Sequence, residues 1–304
     1  VDQLKEQILK NLPNDVSLQS VECFRLFHGR GKLIPRWSHL SIDFFPPTVL
    51  LTVYEETSTK DLEQIIEVLN LFPMLKIENI LLQKRYQKGE QISVQKGEIP
   101  SQNFAVENSK KYLINLQQPQ NIGFFLDMKS GREWLAKNSQ DKAVLNLFSY
   151  TCSLSVVALL SGAKVVYNID MSKSSLAIGE KNHLNNHNSS GAKFIPYDIL
   201  NSFGNIRRRG PYDLIIIDPP TNQGHSFKVN RDYVKIIKKL NEMTNDKAII
   251  MACLNSPFLD SDFLKTLFLE NAPEFEYQYN VASTWESQEQ NPEEGLKILI
   301  FQKS

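Results

Sequence analysis

The string Asp213-Leu214-Ile215-Ile216-Ile217-Asp218-Pro219-Pro220 carries the most chemistry in this 304-residue chain. An apolar run ends in a carboxylate and two prolines. The prolines hold φ and remove two N–H donors, so nearby carbonyls and the Asp218 carboxylate are left to a ligand. A Pro-Pro pair also simply stops a strand. Upstream, Asn146-Leu147-Phe148-Ser149-Tyr150-Thr151-Cys152 closes another apolar run. Asp170 follows about 20 residues later, the spacing at which a carboxylate accepts from both ribose hydroxyls of an adenosine cofactor. An Asp at such a place also serves as a helix cap. The turn 149–155 contains no glycine, so it lacks the close backbone approach that the pyrophosphate of a nicotinamide dinucleotide requires. S-adenosylmethionine has no phosphate, and its sulfonium charge suits carboxylates and aromatic faces. Asp127, Phe125 and Phe148 are the candidate partners.

These residues need a scaffold that brings strand ends together. From residue 141 onward the pattern alternates: strand 143–148, helix 154–160, strand 164–170, helix 174–185, short strand 193–196, strand 212–218, helix 233–243, strand 248–253, helix 260–269. Such alternation predicts a mostly parallel sheet covered on both faces. Strands 274–281 and 296–302 have no helix between them and are expected to pair antiparallel. In open sheets of this kind ligands bind beyond the carboxyl ends of the strands, where strand order reverses. Ahead of this region the chain reads as a small α/β domain: helix 1–12, a strand from Cys23 into the Gly29-Arg30-Gly31 turn, strand 48–54, a helix from Ser58 or Thr59, strand 77–82, and a hairpin of 104–107 with 112–116. The expected domains are 1–118, a small N-terminal α/β domain, and 119–304, the cofactor-binding domain.

Lys plus Arg and Asp plus Glu number 34 each, so no global field concentrates the protein on nucleic acid or an anionic membrane. Any such partner is met by a local patch. The three cysteines, Cys23, Cys152 and Cys253, are scattered and lack metal-ligand spacing, so no metal is expected and a reducing, cytoplasmic setting is the simpler account. No apolar run is long enough to span a bilayer and no leader pattern opens the chain, so no membrane partner is expected.

Gly123-Phe124-Phe125-Leu126-Asp127-Met128-Lys129-Ser130-Gly131-Arg132, then Val144-Leu145-Asn146-Leu147-Phe148-Ser149-Tyr150-Thr151, Asp170-Met171-Ser172 and Asp218-Pro219-Pro220 together resemble a known family. Their order and spacing are similar to those of the bacterial large-subunit (23S) ribosomal RNA methyltransferases, the group with cytosine-C5 and guanine-N7 enzymes, without the PUA-type domain that the C5 members carry. The resemblance runs from about residue 105 to the end and implies a class I, Rossmann-like methyltransferase fold with a mostly parallel seven-stranded sheet whose last strand is antiparallel. It implies S-adenosylmethionine as cofactor and RNA, a base of 23S rRNA, as partner. By position, Asp170 would bind the ribose with Met171 beside it, Asp198 with Ile199 would face the adenine amino group, and Phe148, Ser149, Tyr150 and Thr151 would line the methionine portion. Asp127 and Arg132 would close the site, Arg132 toward the cofactor carboxylate. Asp218, Pro219 and Pro220 would form the wall beside the target base.

Three positions depart from the family pattern. Cys152 stands where the turn usually has glycine. Asn255 stands where the C5 enzymes have their nucleophilic cysteine, with Cys253 two residues earlier. C5 methylation requires a thiolate to add across the pyrimidine; a ring nitrogen already carries a lone pair and needs only alignment. A base nitrogen is therefore favoured over C5, with Asn255 at the catalytic edge. Thr221 replaces the aromatic residue that amino-directed enzymes use for stacking, and Phe227 comes later in that loop.

Two basic clusters, Arg207-Arg208-Arg209 and Lys228 with Arg231, flank the Pro-Pro segment in sequence and are candidates to track phosphates, with Phe227 and Tyr233 as stacking faces. Lys235, Lys238 and Lys239 read equally as a solvated helix face. An RNA base methyltransferase is the leading reading. A non-catalytic RNA- or ribosome-binding relative, or a methyltransferase with a protein or small-molecule substrate, are the alternatives.

Overall fold

A computed structural model describes residues 2–88, 91–223, 226–284 and 287–304. The chain forms two compact units: 1–126 with 284–292, and 127–283 with 293–304. The reading from sequence puts the junction at 118/119 and returns nothing. The return segment has a local cause. Gln290 N–H donates to Gly31 O at 2.7 Å, and His28 Nε2 meets Glu289 Oε1 at 2.7 Å. A Cβ on Gly31 would stand 2.2 Å from Gln288 O, so only glycine admits this approach.

In the first unit, α1 (Asp2–Asn11), β1 (Phe24–His28), β2 (Leu40–Phe45), β3 (Thr48–Val53), α2 (Thr59–Asn70), β4 (Asn79–Lys84) and β5 (Ile92–Lys96) build a five-stranded sheet in the order β1-β2-β3-β4-β5. Only β3 and β4 run parallel, because α2 carries the chain across between them. Ser58 caps α2, its hydroxyl accepting from Asp61 N at 3.1 Å. The hairpin of β6 (Asn103–Glu107) and β7 (Lys110–Ile114) turns through Asn108 and Ser109, both at positive φ, the geometry that two-residue hairpin loops favour. Strands β2 and β5 lie outside the expectations above; β2 runs straight into Pro46-Pro47, which reads as a breaker.

The second unit contains α3 (Lys129–Asn138), β8 (Ala143–Leu147), α4 (Ser153–Leu160), β9 (Val165–Ile169), α5 (Lys173–Asn185), β10 (Ala192–Ile195), α6 (Phe203–Arg207), β11 (Tyr212–Ile217), the two-residue strands β12 (Asn222–Gln223) and β13 (Phe227–Lys228), α7 (Val229–Ile237), β14 (Thr244–Asn255), α8 (Ser261–Asn271), β15 (Phe275–Val281) and β16 (Leu296–Lys303). Its seven-stranded sheet has the order β10-β9-β8-β11-β14-β16-β15. The first five strands in that order are parallel, and β16 is antiparallel to both neighbours. This is the class I methyltransferase sheet. Alternate residues of β11 feed opposite faces: Ile215 and Ile217 join one core cluster, Leu214 and Ile216 the other. Strand order reverses at β8, with β9 on one side and β11 on the other, so the ligand crevice opens past the ends of β8 and β11. No helix among the described residues is long and apolar enough to cross a membrane.

Candidate active site

The turn leaving β8 is built from left-handed residues. Phe148, Tyr150 and Cys152 have φ of 58°, 46° and 63°, a conformation that costs any residue with a Cβ. Backbone bonds hold it: Ser149 N–H donates to Ile169 O at 3.1 Å and Cys152 N–H to Ser149 O at 2.8 Å. Asp170 Oδ2 accepts from Tyr150 N at 2.9 Å, and its Oδ1 accepts from Ser172 N at 2.8 Å. Asn182 Nδ2 donates to Thr151 O at 2.9 Å. Asp170 is thus a local cap, and a carboxylate with about four acceptor sites retains capacity after two such bonds.

Cys152 is fully buried and points away from the crevice, toward helix α5, where a Cβ on Gly179 would stand 2.4 Å from its Sγ. The room that a turn glycine would leave is supplied from the opposite side, by a glycine in mid-helix. Burial pushes the Cys152 thiol above the ordinary thiol range, so it is an inert packing group. A glycine inside α5 was the available sign, since that residue weakens a helix without a packing reason.

Behind the turn runs a buried polar chain. Asn146 Nδ2 donates to Asn168 Oδ1 at 3.0 Å, Asn168 Nδ2 to Ser155 Oγ at 3.0 Å, and Ser155 Oγ meets His183 Nε2 at 2.9 Å. Burial pulls the His183 pKa down and keeps the ring neutral. The chain ties β8, β9, α4 and α5 into one support, and its signal in sequence was an Asn inside each of two apolar strands.

Past the ends of the neighbouring strands follow Phe148 and Tyr150, both half-buried, after β8, Met171, 47% exposed, after β9, and Asp198 beyond β10. Asp198 accepts from Leu200 N at 3.0 Å and from Asn201 Nδ2 at 2.7 Å, while Ile199 belongs to the core. Arg132 on α3 is 1% exposed and engaged within the protein. Phe125 lies in the first unit, 42% exposed.

Asp218 ends β11 with a partly open surface. The protein that rings it, and second the Asp127 carboxylate, push its pKa up to about 7. Pro219 is buried beside it. Thr221 Oγ1 donates to Asn255 O, joining the Pro-Pro segment to the end of β14 and leaving the Asn255 side chain exposed there. Tyr233 locks the two strands from beneath, its hydroxyl reaching Ile217 O at 3.3 Å and Cys253 O at 3.2 Å.

Several positions differ from expectation. Tyr233 is fully buried and Phe227 is 2% exposed, its ring 5.0 Å from that of Phe148, edge to face; neither presents a stacking surface. Arg207, Arg208 and Arg209 precede the first residue of β11, whereas Asp218 follows the last, about 20 Å away at roughly 3.3 Å per residue. Neighbours in sequence, they stand at opposite ends of the sheet. Arg207 pairs with Glu242 at 2.7 Å, Arg208 with Asn205, and Arg209 stacks 5.6 Å from the Tyr197 centroid. Lys228 and Arg231 lie at the crevice end, before and in the first turn of α7, but Arg231 is bound to the buried Asp232 at 2.6 Å.

Residues 24–302 match the S-adenosylmethionine-dependent methyltransferases. The chain belongs to that family. Its fold agrees with two solved structures, each 24% identical and covering 99% of this chain and 80% of theirs. One was assigned as a methyltransferase and solved with SAH, at a TM-score of 0.86; the other was assigned as a SAM-dependent methyltransferase from Streptococcus mutans, at 0.82. The chain is also 32% identical over 259 residues to the ribosomal RNA large subunit methyltransferase K/L of Alteromonas mediterranea. That match takes in 80% of this chain and 36% of the relative, so the chain spans about a third of the relative's length. The cofactor of that family is S-adenosylmethionine, and the acidic residues at the strand ends suit it. The Asp127 carboxylate lies close enough to Asp218 to raise its pKa, and such paired negative charge suits a sulfonium and opposes a pyrophosphate.

Proposed function

We propose that this methyltransferase acts on RNA, at a base nitrogen of 23S rRNA, in the cytoplasm. The observation that carries the choice of atom is the state of Cys253. It is fully buried in the core, and burial, with Asp218 second, pushes its thiol well above the usual range, so no thiolate is available to add to a pyrimidine. The choice of RNA rests on the likeness to the ribosomal RNA large subunit methyltransferase K/L.

When bound, S-adenosylmethionine supplies an electrophilic methyl group. Asp170 holds the ribose and Asp198 the adenine edge. The turn from Phe148 to Thr151 lines the methionine part, with Asp127 near the sulfonium side. Asp218 and the carbonyls at Pro219 and Pro220 accept N–H bonds from the base and fix its nitrogen lone pair in line with the methyl. An exocyclic amine would lose its surplus proton to the Asp218 carboxylate, whose raised pKa suits it to hold one near neutrality.

Transfer of labelled methyl to unmodified 23S rRNA, but not to 23S rRNA already modified in vivo, tests the reading; transfer to no RNA overturns it. Asp170→Ala is expected to weaken cofactor binding by about 1–3 kcal/mol, the scale of a lost charged hydrogen-bond partner, measured by calorimetric titration. Unchanged affinity would remove Asp170 from the ribose. Cys253→Ala is expected to leave the transfer rate within about twofold while lowering stability by about 1 kcal/mol for the lost core volume; an inactive but folded variant would restore the C5 chemistry.

A further inference from the structure

The aromatic face that Thr221 fails to provide, and that buried Phe227 cannot, stands elsewhere at the same edge. Phe258 is 90% exposed, the highest value among the exposed large apolar side chains of the described residues; Leu269 follows at 74%. It lies in the connection from β14 to α8, three residues past Asn255, which is tied to Thr221 of the Pro-Pro segment. Three residues span at most about 11 Å, so the phenyl belongs to the crevice end of the sheet.

Its exposure is imposed by a braced backbone. Ser256 is 2% exposed, and its carbonyl accepts from the buried Lys297 Nζ at 2.8 Å. Its hydroxyl accepts from Phe258 N at 3.3 Å, and Pro257 between them restricts φ. On the far side Leu259 packs against the core, Asp260 caps α8 by accepting from Phe263 N at 3.1 Å, and Ser261 N is held by Glu293 at 2.7 Å. Both flanks are anchored while the largest apolar side chain between them is held in water, the reverse of what burial alone would select. The neighbouring Asp260 disfavours a phosphate or an anionic membrane, but a nucleobase offers a neutral π-face.

We infer that Phe258 is a substrate-positioning residue, stacking on an RNA base held out of its helix beside Asp218. The inference rests on the RNA reading above. Its test compares the wild type with Phe258→Ala and Phe258→Trp in the full chain, by labelled methyl transfer to unmodified 23S rRNA, calorimetry with S-adenosylmethionine, and thermal unfolding. Phe258→Ala is expected to lower kcat/KM for RNA about tenfold, the loss of one base–aromatic stack, with cofactor affinity and Tm unchanged. Phe258→Trp is expected to restore the rate, its emission being quenched by that RNA beyond the change in the wild type.

A Phe258→Ala rate within twofold of the wild type overturns the stacking role. So does a loss of cofactor affinity that accounts for the lower rate, or a dimer that becomes monomeric on substitution with methylation intact, which would make the phenyl a protein contact. A wild type that methylates no RNA removes the substrate reading and this inference with it, an outcome distinct from a selective failure of the variant.

Discussion

Asp218→Asn is expected to lower kcat for methyl transfer by about 100-fold, the scale of losing one positioned acid–base group, with the cofactor still bound. Activity within tenfold of the wild type would detach the carboxyl from the reacting base. The same substitution has a signature in stability. The folded pKa of about 7 lies above the ordinary carboxylate value of 3.8, so between these pH values the folded chain holds a proton that the unfolded chain has released. Stability contributed by this group is fully present below about pH 4 and lost as pH rises through 7. Asp218→Asn, which cannot ionise, is expected to be more stable than the wild type by up to about 4 kcal/mol at pH 8 and to converge with it near pH 4. Parallel unfolding curves at both pH values would contradict the raised pKa. A sulfonium beside the carboxylate favours its ionised form, so cofactor affinity is expected to rise as pH passes 7 in the wild type and to stay flat in the variant.

Gly179→Ala produces the second large effect. Alanine is the better helix former by about 1 kcal/mol, yet its Cβ would meet Cys152 Sγ at 2.4 Å and Cys152 Cβ at 3.0 Å. Overpacking of that kind costs about 1–3 kcal/mol and wins over the propensity gain. The strain falls on the left-handed turn that carries Tyr150 and Thr151, and displacements of about 1 Å there reach the cofactor. A drop in cofactor affinity of about tenfold and a lower Tm are expected. Cys152→Gly in the Gly179→Ala background should restore both, because glycine accepts the positive φ and vacates the space that the new methyl enters. Equal affinity in the single and double variants would mean that the two positions are not coupled.

The alternation of apolar runs with helical segments after residue 141 was enough to specify a parallel sheet, and the absence of a helix between β15 and β16 was enough for its antiparallel end. Asp170 and Asp218-Pro219-Pro220 were legible because strand ends are local features: each carboxylate follows its own strand by one residue. Phe227, Tyr233 and the three arginines lie near that edge in sequence, and nearness in sequence alone assigns them to it. A six-residue strand separates Arg209 and its neighbours from Asp218 in space, and side-chain burial, which sequence distance does not report, removes the two rings from contact with solvent.

Sequence by itself determined the sheet, the strand ends that face the crevice, the cofactor class and the absence of a usable thiol at Asn255. These follow from periodicity, from proline geometry and from side-chain chemistry, all of which act within a few residues. Tertiary structure alone decided how Cys152 is tolerated, which loop carries the exposed aromatic face, and why 284–292 joins the first unit. Each depends on two groups distant in the chain approaching within a few ångström, Gly179 to Cys152, Lys297 to Ser256, Gln288 to Gly31, and such approaches are set by how whole elements pack.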